Sequence, residues 1–132
     1  GAVFAADDAL AGEVAGAVRE LGLEPVRLSG RGATVEALQR ILAGEQTMTV
    51  YEPLGPLAGA ACQAAVALLT GEEVVALTNR FIDNGAGEVP FIRLAPIAVT
   101  ENNLAETVVA DGLHTWAEIC SGLAAPCPEE GQ

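Results

Sequence analysis

Asp7 and Asp8 are the first side chains in this sequence able to do chemistry. They follow a short apolar run, residues 2–6, and precede a helical pattern. Paired carboxylates can work as acid and base, hold a metal, or accept hydrogen bonds from sugar hydroxyls. At a helix start the same pair can simply cap free N–H groups. Ser29-Gly30-Arg31-Gly32 follows a second apolar run. It has the glycine content of a phosphate loop but fits neither G-x-G-x-x-G nor the P-loop pattern. Tyr51 and Glu52 close a third run, and Tyr51 suits a core rim as well as a ligand contact. His114 is the only histidine. Cys120 and Ser121 lie near it in sequence, but no nucleophile-elbow motif is present. A satisfied or solvated histidine near a helix start is the better reading. Trp116 can stack on a sugar ring, yet its place near the end of the chain favours packing on the body.

The three cysteines divide into two groups. Cys62 sits in an apolar helical pattern and is expected to be a buried free thiol. Cys120 and Cys127 flank Ser-Gly-Leu-Ala-Ala-Pro, a small loop able to bring them within bridging distance. A disulfide there leans toward an extracytoplasmic home. No cysteine or histidine pair has metal-ligand spacing, so neither a metal nor a cofactor is expected.

Composition narrows the function classes further. The 132 residues carry 18 acids against six basic residues, for a formal net charge of −12. All six basic residues are Arg, which removes Schiff-base and P-loop lysine chemistry. Six scattered Arg do not build the basic face that nucleic acid requires, and anionic membranes are disfavoured by the same sign. The acidity keeps an Ala-rich chain in solution. The longest apolar run, residues 58–69, is interrupted by Gly59 and Gln63 and falls short of a membrane span. No signal peptide is visible, and the opening on Gly1 suggests processing or a piece of something longer.

The elements that must position these groups follow from periodicity. Residues 2–6 read as a strand. A helix then places Leu10, Val14, Val18 and Leu21 on one face and stops at Gly22. Residues 25–29 form a second strand, followed by Gly30-Arg31-Gly32-Ala33 as a flexible loop. Thr34 caps a helix with Val35, Leu38, Ile41 and Leu42 inward. Met48 and Val50 alternate with Thr47, Thr49 and Tyr51, the pattern of a half-buried strand, which ends at Glu52-Pro53. Pro56 starts an Ala-rich third helix, expected to pack closely on a sheet and to end at Gly71. Residues 74–77 are ambiguous. Residues 80–82 and 89–94 suit a hairpin around Asp83-Asn84-Gly85. At Pro96 the alternation changes parity, from Ile92 and Leu94 to Ile97 and Val99. Asn103 with Glu106, and Thr115 with Glu118, fit capping boxes, and residues 128–132 form a polar tail. The order predicts one α/β domain with a mostly parallel sheet flanked by helices. Ligands then meet the loops at the carboxyl ends of the strands: Asp7-Asp8, residues 29–33 and residues 51–53.

Val3-Phe4-Ala5-Ala6-Asp7-Asp8-Ala9-Leu10-Ala11-Gly12 is similar to the strand-to-helix segment of periplasmic pentose-binding proteins, especially the xylose-binding receptors of ABC importers. Residues 43–53 resemble their A-G-x-Q-x-M-T-V-Y-K-P stretch almost throughout. Asn84-Gly85, Val89-Pro90, Leu94, Pro96, Val99-Thr100, Asn103, Ala110-Asp111-Gly112 and the terminal cysteine pair extend the likeness nearly end to end. It covers the carboxyl-terminal part of such a receptor.

The resemblance implies two α/β lobes joined by crossing strands, with a sugar held in the cleft and a closed state recognised by the membrane permease. It implies hinge crossings near residues 51–53 and 94–97 and a tail over residues 113–132. The implied ligand set is Asp7, Asp8, Arg31, Gly32 and Glu52. The family's S-N-D motif supplies an Asn where Asp7 stands here. Its S-G-Q-D motif supplies an Asp where Gly32 stands, and its V-Y-K-P Lys is Glu52. The expected function is therefore the substrate-binding component of a carbohydrate importer, pentose-like, with altered ligand positions and no enzymatic role. Xylose specificity does not carry over, because a site built for hydroxyls loses strongly when those groups change. The alternative is a sugar-sensing domain of a transcription regulator or sensor protein. The expected setting is periplasmic or cell-surface, and exposed sheet edges allow a homo-oligomer. By itself the chain is expected to bind no pentose with useful affinity.

Overall fold

The computed structural model describes residues 1–123 and Cys127, apart from the side chain of Ala76. The expected polar tail, residues 128–132, lies outside the described residues. The chain forms two compact units, one of residues 1–51 with 97–132 and one of residues 52–96.

The first unit is built on a four-stranded sheet. Its strands are β1 (Ala2–Phe4), β2 (Arg27–Arg31), β3 (Met48–Tyr51) and β6 (Ile97–Val99), in that spatial order. The first three are parallel and β6 runs antiparallel to β3, so the expected α/β, mostly parallel class holds. Helices α1 (Asp8–Glu20) and α2 (Val35–Leu42) make the two crossovers. Right-handed crossovers between sequential neighbours put both helices on one face. Leu28, Gly30, Thr49, Tyr51 and Val99 are buried. The intervening residues Arg27, Ser29, Arg31, Met48 and Val50 are exposed or half-buried.

Two core clusters lie in this unit. Ala5, Ala11, Ala15 and Leu28 form one. Leu38, Ile41, Tyr51, Val99, Leu104, Val108 and Ile119 dominate the other, with Trp116 packed against it as expected. Each such Leu, Ile or Val contributes about 1.5–3 kcal/mol on burial.

Several local expectations need correction. The buried stripe of α1 is Ala11 and Ala15, whereas Leu10 is 51% exposed. Small side chains let α1 sit close. Gly12 serves the same purpose, since a Cβ there would lie 3.1 Å from Arg40 Nη1. The alternation expected of β3 is present, and Thr49 and Tyr51 take the buried face while Met48 and Val50 are half-exposed. Thr49 can go inside because its hydroxyl finds partners there. Strand β2 runs on to Arg31 rather than stopping at Ser29, because Gly30 pairs with Thr49 and Arg31 with Val50. Asn103 does not open a capping box. Its side chain turns back to accept from Thr100 N at 2.8 Å and donate to Ala98 O at 2.9 Å. The following residues Ala105–Val109 make a short π-helical turn.

Other features follow the pattern. Thr115 and Glu118 form a complete capping box on α4 (Trp116–Cys120). Cys120 and Cys127 are joined in a disulfide, with Cα atoms 5.7 Å apart.

The second unit holds α3 (Leu54–Thr70), a 3-10 turn at Val74–Leu77 and a hairpin of β4 (Arg80–Asp83) and β5 (Glu88–Phe91). Gly71 ends α3 at φ 76, the left-handed stop read from the sequence. Asp83 Oδ1 accepts from Gly85 N and Asn84 Oδ1 from Ala86 N, which fixes the expected turn. The close packing expected of α3 is not found: Ala67 is its one buried residue, and Leu69 is 87% exposed. Cys62 is correspondingly an exposed free thiol rather than a buried one. Among the described residues, no helix is long and apolar enough to cross a membrane.

Candidate functional site

The carboxyl ends of β1 and β2 carry Asp7, Arg31 and Gly32, and the strands are adjacent and parallel. Asp7 is exposed and caps α1, with Oδ1 accepting from Leu10 N at 2.8 Å. Arg31, the last residue of β2, is exposed. It shares its sheet face with Ser29, opposite the face of Gly30.

Asp8 is placed differently from its neighbour. It is 3% exposed and lies beneath the turn rather than at its rim. Oδ1 accepts from Thr49 Oγ1 at 2.8 Å and Gln46 Nε2 at 3.2 Å. Oδ2 accepts from Thr34 N at 3.1 Å, and the Thr49 hydroxyl is 2.9 Å away. Its carbonyl accepts from Arg40 Nη2 at 2.7 Å, and Arg40 Nε donates to Gln46 Oε1 at 3.0 Å. Gln46 Nε2 also reaches Met48 O at 3.0 Å. This is a satisfied buried network, and among the described residues no buried side-chain polar atom lacks a partner. Gly30 makes room for it. A Cβ at that position would overlap Asp8 Oδ1 and stand 2.8 Å from Gln46 Nε2.

The turn above the network is held rather than flexible. Gly32 N donates to Val50 O at 2.9 Å, Ala33 N to Thr49 Oγ1 at 3.2 Å, and Thr34 N to Asp8 Oδ2. Gly32 has φ 128 and Ala33 has φ 51, the left-handed region that costs a residue with a Cβ. His114 Nε2 meets Ala33 O at 2.9 Å, so its N–H tautomer closes the turn from the far side. The three successive N–H groups thus point at internal acceptors. They form no anion-binding nest, which argues physically against a phosphate loop here.

Tyr51 belongs to the core. It is 4% exposed, and its hydroxyl donates to Asp111 Oδ2 at 3.1 Å. Burial foremost, then the hydrogen bond and charge of Asp111, hold its phenol above the usual tyrosine range. Glu52 opens the second unit, where it lines a hollow of about 250 Å³ with Pro53, Leu57, Phe91, Leu94 and Pro96. Sequence reasoning singled out neither Thr49 nor Arg40. Gln46 and Thr49 did lie in the run most similar to the receptors, residues 43–53. That was the available signal, and it marked the support of the edge rather than its rim.

No family model matches the chain. Individual relatives do. Over 119 residues, 89% of the chain, it is 43% identical to the D-xylose-binding periplasmic protein of Escherichia coli. It is 44% identical over the same length to the D-xylose-binding periplasmic protein of Haemophilus influenzae. The chain belongs to the periplasmic sugar-binding proteins. It covers 36% and 35% of these two relatives' lengths, so it spans about a third of such a protein. Among solved structures, a carbohydrate transporter solute-binding protein from Chloroflexus aurantiacus, in complex with D-glucose, superposes with a TM-score of 0.78 at 27% identity. That likeness covers 89% of this chain and 35% of the other.

Proposed function

We propose that this chain supplies part of the sugar-binding site of a carbohydrate importer's substrate-binding component, working outside the cytoplasm with an ABC permease. The observation that carries the reading is 43% identity over 119 residues to a D-xylose-binding periplasmic protein. The exposed Asp7 and Arg31 stand at the carboxyl edge of the parallel strands, where ligands meet such sheets. The role is binding, without catalysis.

The ligand is a small neutral sugar, pentose-like in size. Asp7 accepts hydrogen bonds from its hydroxyls and Arg31 donates to its oxygens. Gly32 leaves space where the resembling receptors carry an Asp. Asp8 enters as support rather than as a direct contact, because its oxygens are already engaged. The segments near residues 51–53 and 94–97 act as hinge crossings. The division of the chain between Tyr51 and Glu52, and between Pro96 and Ile97, supports this assignment. Exposed apolar surface on α3 supports self-association when nothing covers it.

Calorimetry on the full-length protein that contains this chain tests the reading, using xylose, ribose, arabinose and glucose. Saturable binding of at least one sugar is expected. Failure of all four to bind contradicts it.

A further inference from the structure

We propose that Asp8 and Thr49 are positioning residues of the sugar site, fixing the Gly32–Thr34 turn from beneath and so setting the direction in which Arg31 leaves β2. The inference rests on the reading that this sheet edge meets the sugar. Thr49 is fully buried and sits at the centre of the arrangement. Its hydroxyl donates to the Asp8 carboxylate and accepts from Ala33 N at 3.2 Å. One side chain on β3 therefore links the start of α1 to the turn after β2. Asp8 Oδ2 takes the next amide, Thr34 N. Beyond these two acceptors, Ala33 at φ 51 is held by its burial in the core, by the Gly32 amide on Val50 O and by its own carbonyl's contact with His114.

The chemistry calls for a carboxylate at position 8. Oδ1 faces two donors, Thr49 Oγ1 and Gln46 Nε2, and Oδ2 faces the Thr34 amide. An amide of the same shape must turn its NH2 group toward one of these sets, placing donor against donor. Arg40 does not substitute for this pairing, since its guanidinium goes to the Asp8 carbonyl and to Gln46. Arg31 is one residue before the turn and paired with Val50. A shift of the turn therefore passes directly to the base of its side chain. A ligand group held by its backbone in this way is preorganised, and loosening it weakens binding without removing any contact atom.

The test compares Thr49→Val, Thr49→Ser and Asp8→Asn by amide hydrogen exchange in this chain and by sugar calorimetry in the full-length protein. Val keeps the shape of Thr and loses the hydroxyl; Ser keeps the hydroxyl. In Thr49→Val and Asp8→Asn, exchange at Ala33 and Thr34 is expected to speed up by about tenfold or more while Ile41 and Leu42 in α2 hold their rates. Sugar affinity falls about tenfold in both, and Thr49→Ser stays near wild type in both measurements. Turn amides unchanged in Thr49→Val overturn the inference. So does a uniform acceleration that includes α2, or a Thr49→Ser variant no better than Thr49→Val. Wild-type sugar affinity in Thr49→Val overturns the inference alone. Absence of sugar binding by the wild-type protein overturns the functional reading and the inference with it.

Discussion

At the scale of single residues, the close approach at Gly30 is the most demanding position. Gly30→Ala drives a methyl group into Asp8 Oδ1 and against Gln46 Nε2, and both are buried. Overpacking and a disturbed polar network together are expected to cost about 2–4 kcal/mol, read from urea unfolding midpoints. Tyr51 gives a gentler test. Its folded-state pKa is raised, so folding favours the protonated phenol. That contribution is fully present below about pH 10, the unfolded value, and is lost as pH rises through the folded one. Tyr51→Phe should cost about 1 kcal/mol at neutral pH, because Asp111 is exposed and regains water. The variant should also flatten the alkaline decline in stability. Asp7 as a cap was legible in the sequence. The different fate of Asp8 was not, because adjacent acids look alike until the helix start turns one outward and the other beneath a glycine.

At the scale of elements, α4 depends on its capping box. Thr115 Oγ1 accepts from Glu118 N at 3.2 Å, and Thr115 N donates to Glu118 Oε2 at 2.8 Å. Thr115→Ala should cost about 1 kcal/mol by thermal unfolding. Hydrogen bonds from the Thr115 backbone, then from its side chain, pull the Glu118 pKa below the usual glutamate range. The box therefore stabilises above the unfolded value, about pH 4.3, and its contribution is lost as pH falls through the folded one. In Glu118→Gln this acid-side dependence should be smaller. This box could be read from Thr115 and Glu118 alone because the motif is local. Asn103 and Glu106 fit the same motif without forming the box, since Ala98 in β6 and Thr100 just after it offered Asn103 nearer partners. Which face of β3 turns inward was not legible, for a related reason. Alternation gives two faces, and only the position of Asp8 says that Thr49 belongs inside.

At the scale of the molecule, burial is unequal between the two units. The first holds both core clusters, whereas α3 in the second buries only Ala67. Amides in the middle of α3 are expected to exchange faster than those of α2, where Leu38 and Ile41 are buried. Equal protection would show that α3 is covered in solution. The sequence suggested a packed third helix because an uncharged, Ala-rich pattern normally means burial; what covers such a helix is not encoded in its own period. The mostly parallel α/β class was legible, because each strand, helix and stop signal is local. The family was legible chiefly from residues 43–53, a run whose Gln46 and Thr49 hold the network beneath the candidate edge. The most direct test of the central claim is calorimetry of the full-length protein with a sugar panel, comparing wild type with Asp7→Ala and Arg31→Ala. The account predicts saturable sugar binding that each substitution weakens about tenfold or more, the loss of a charge-assisted hydrogen bond. No sugar binding, or affinity indifferent to both substitutions, would contradict it.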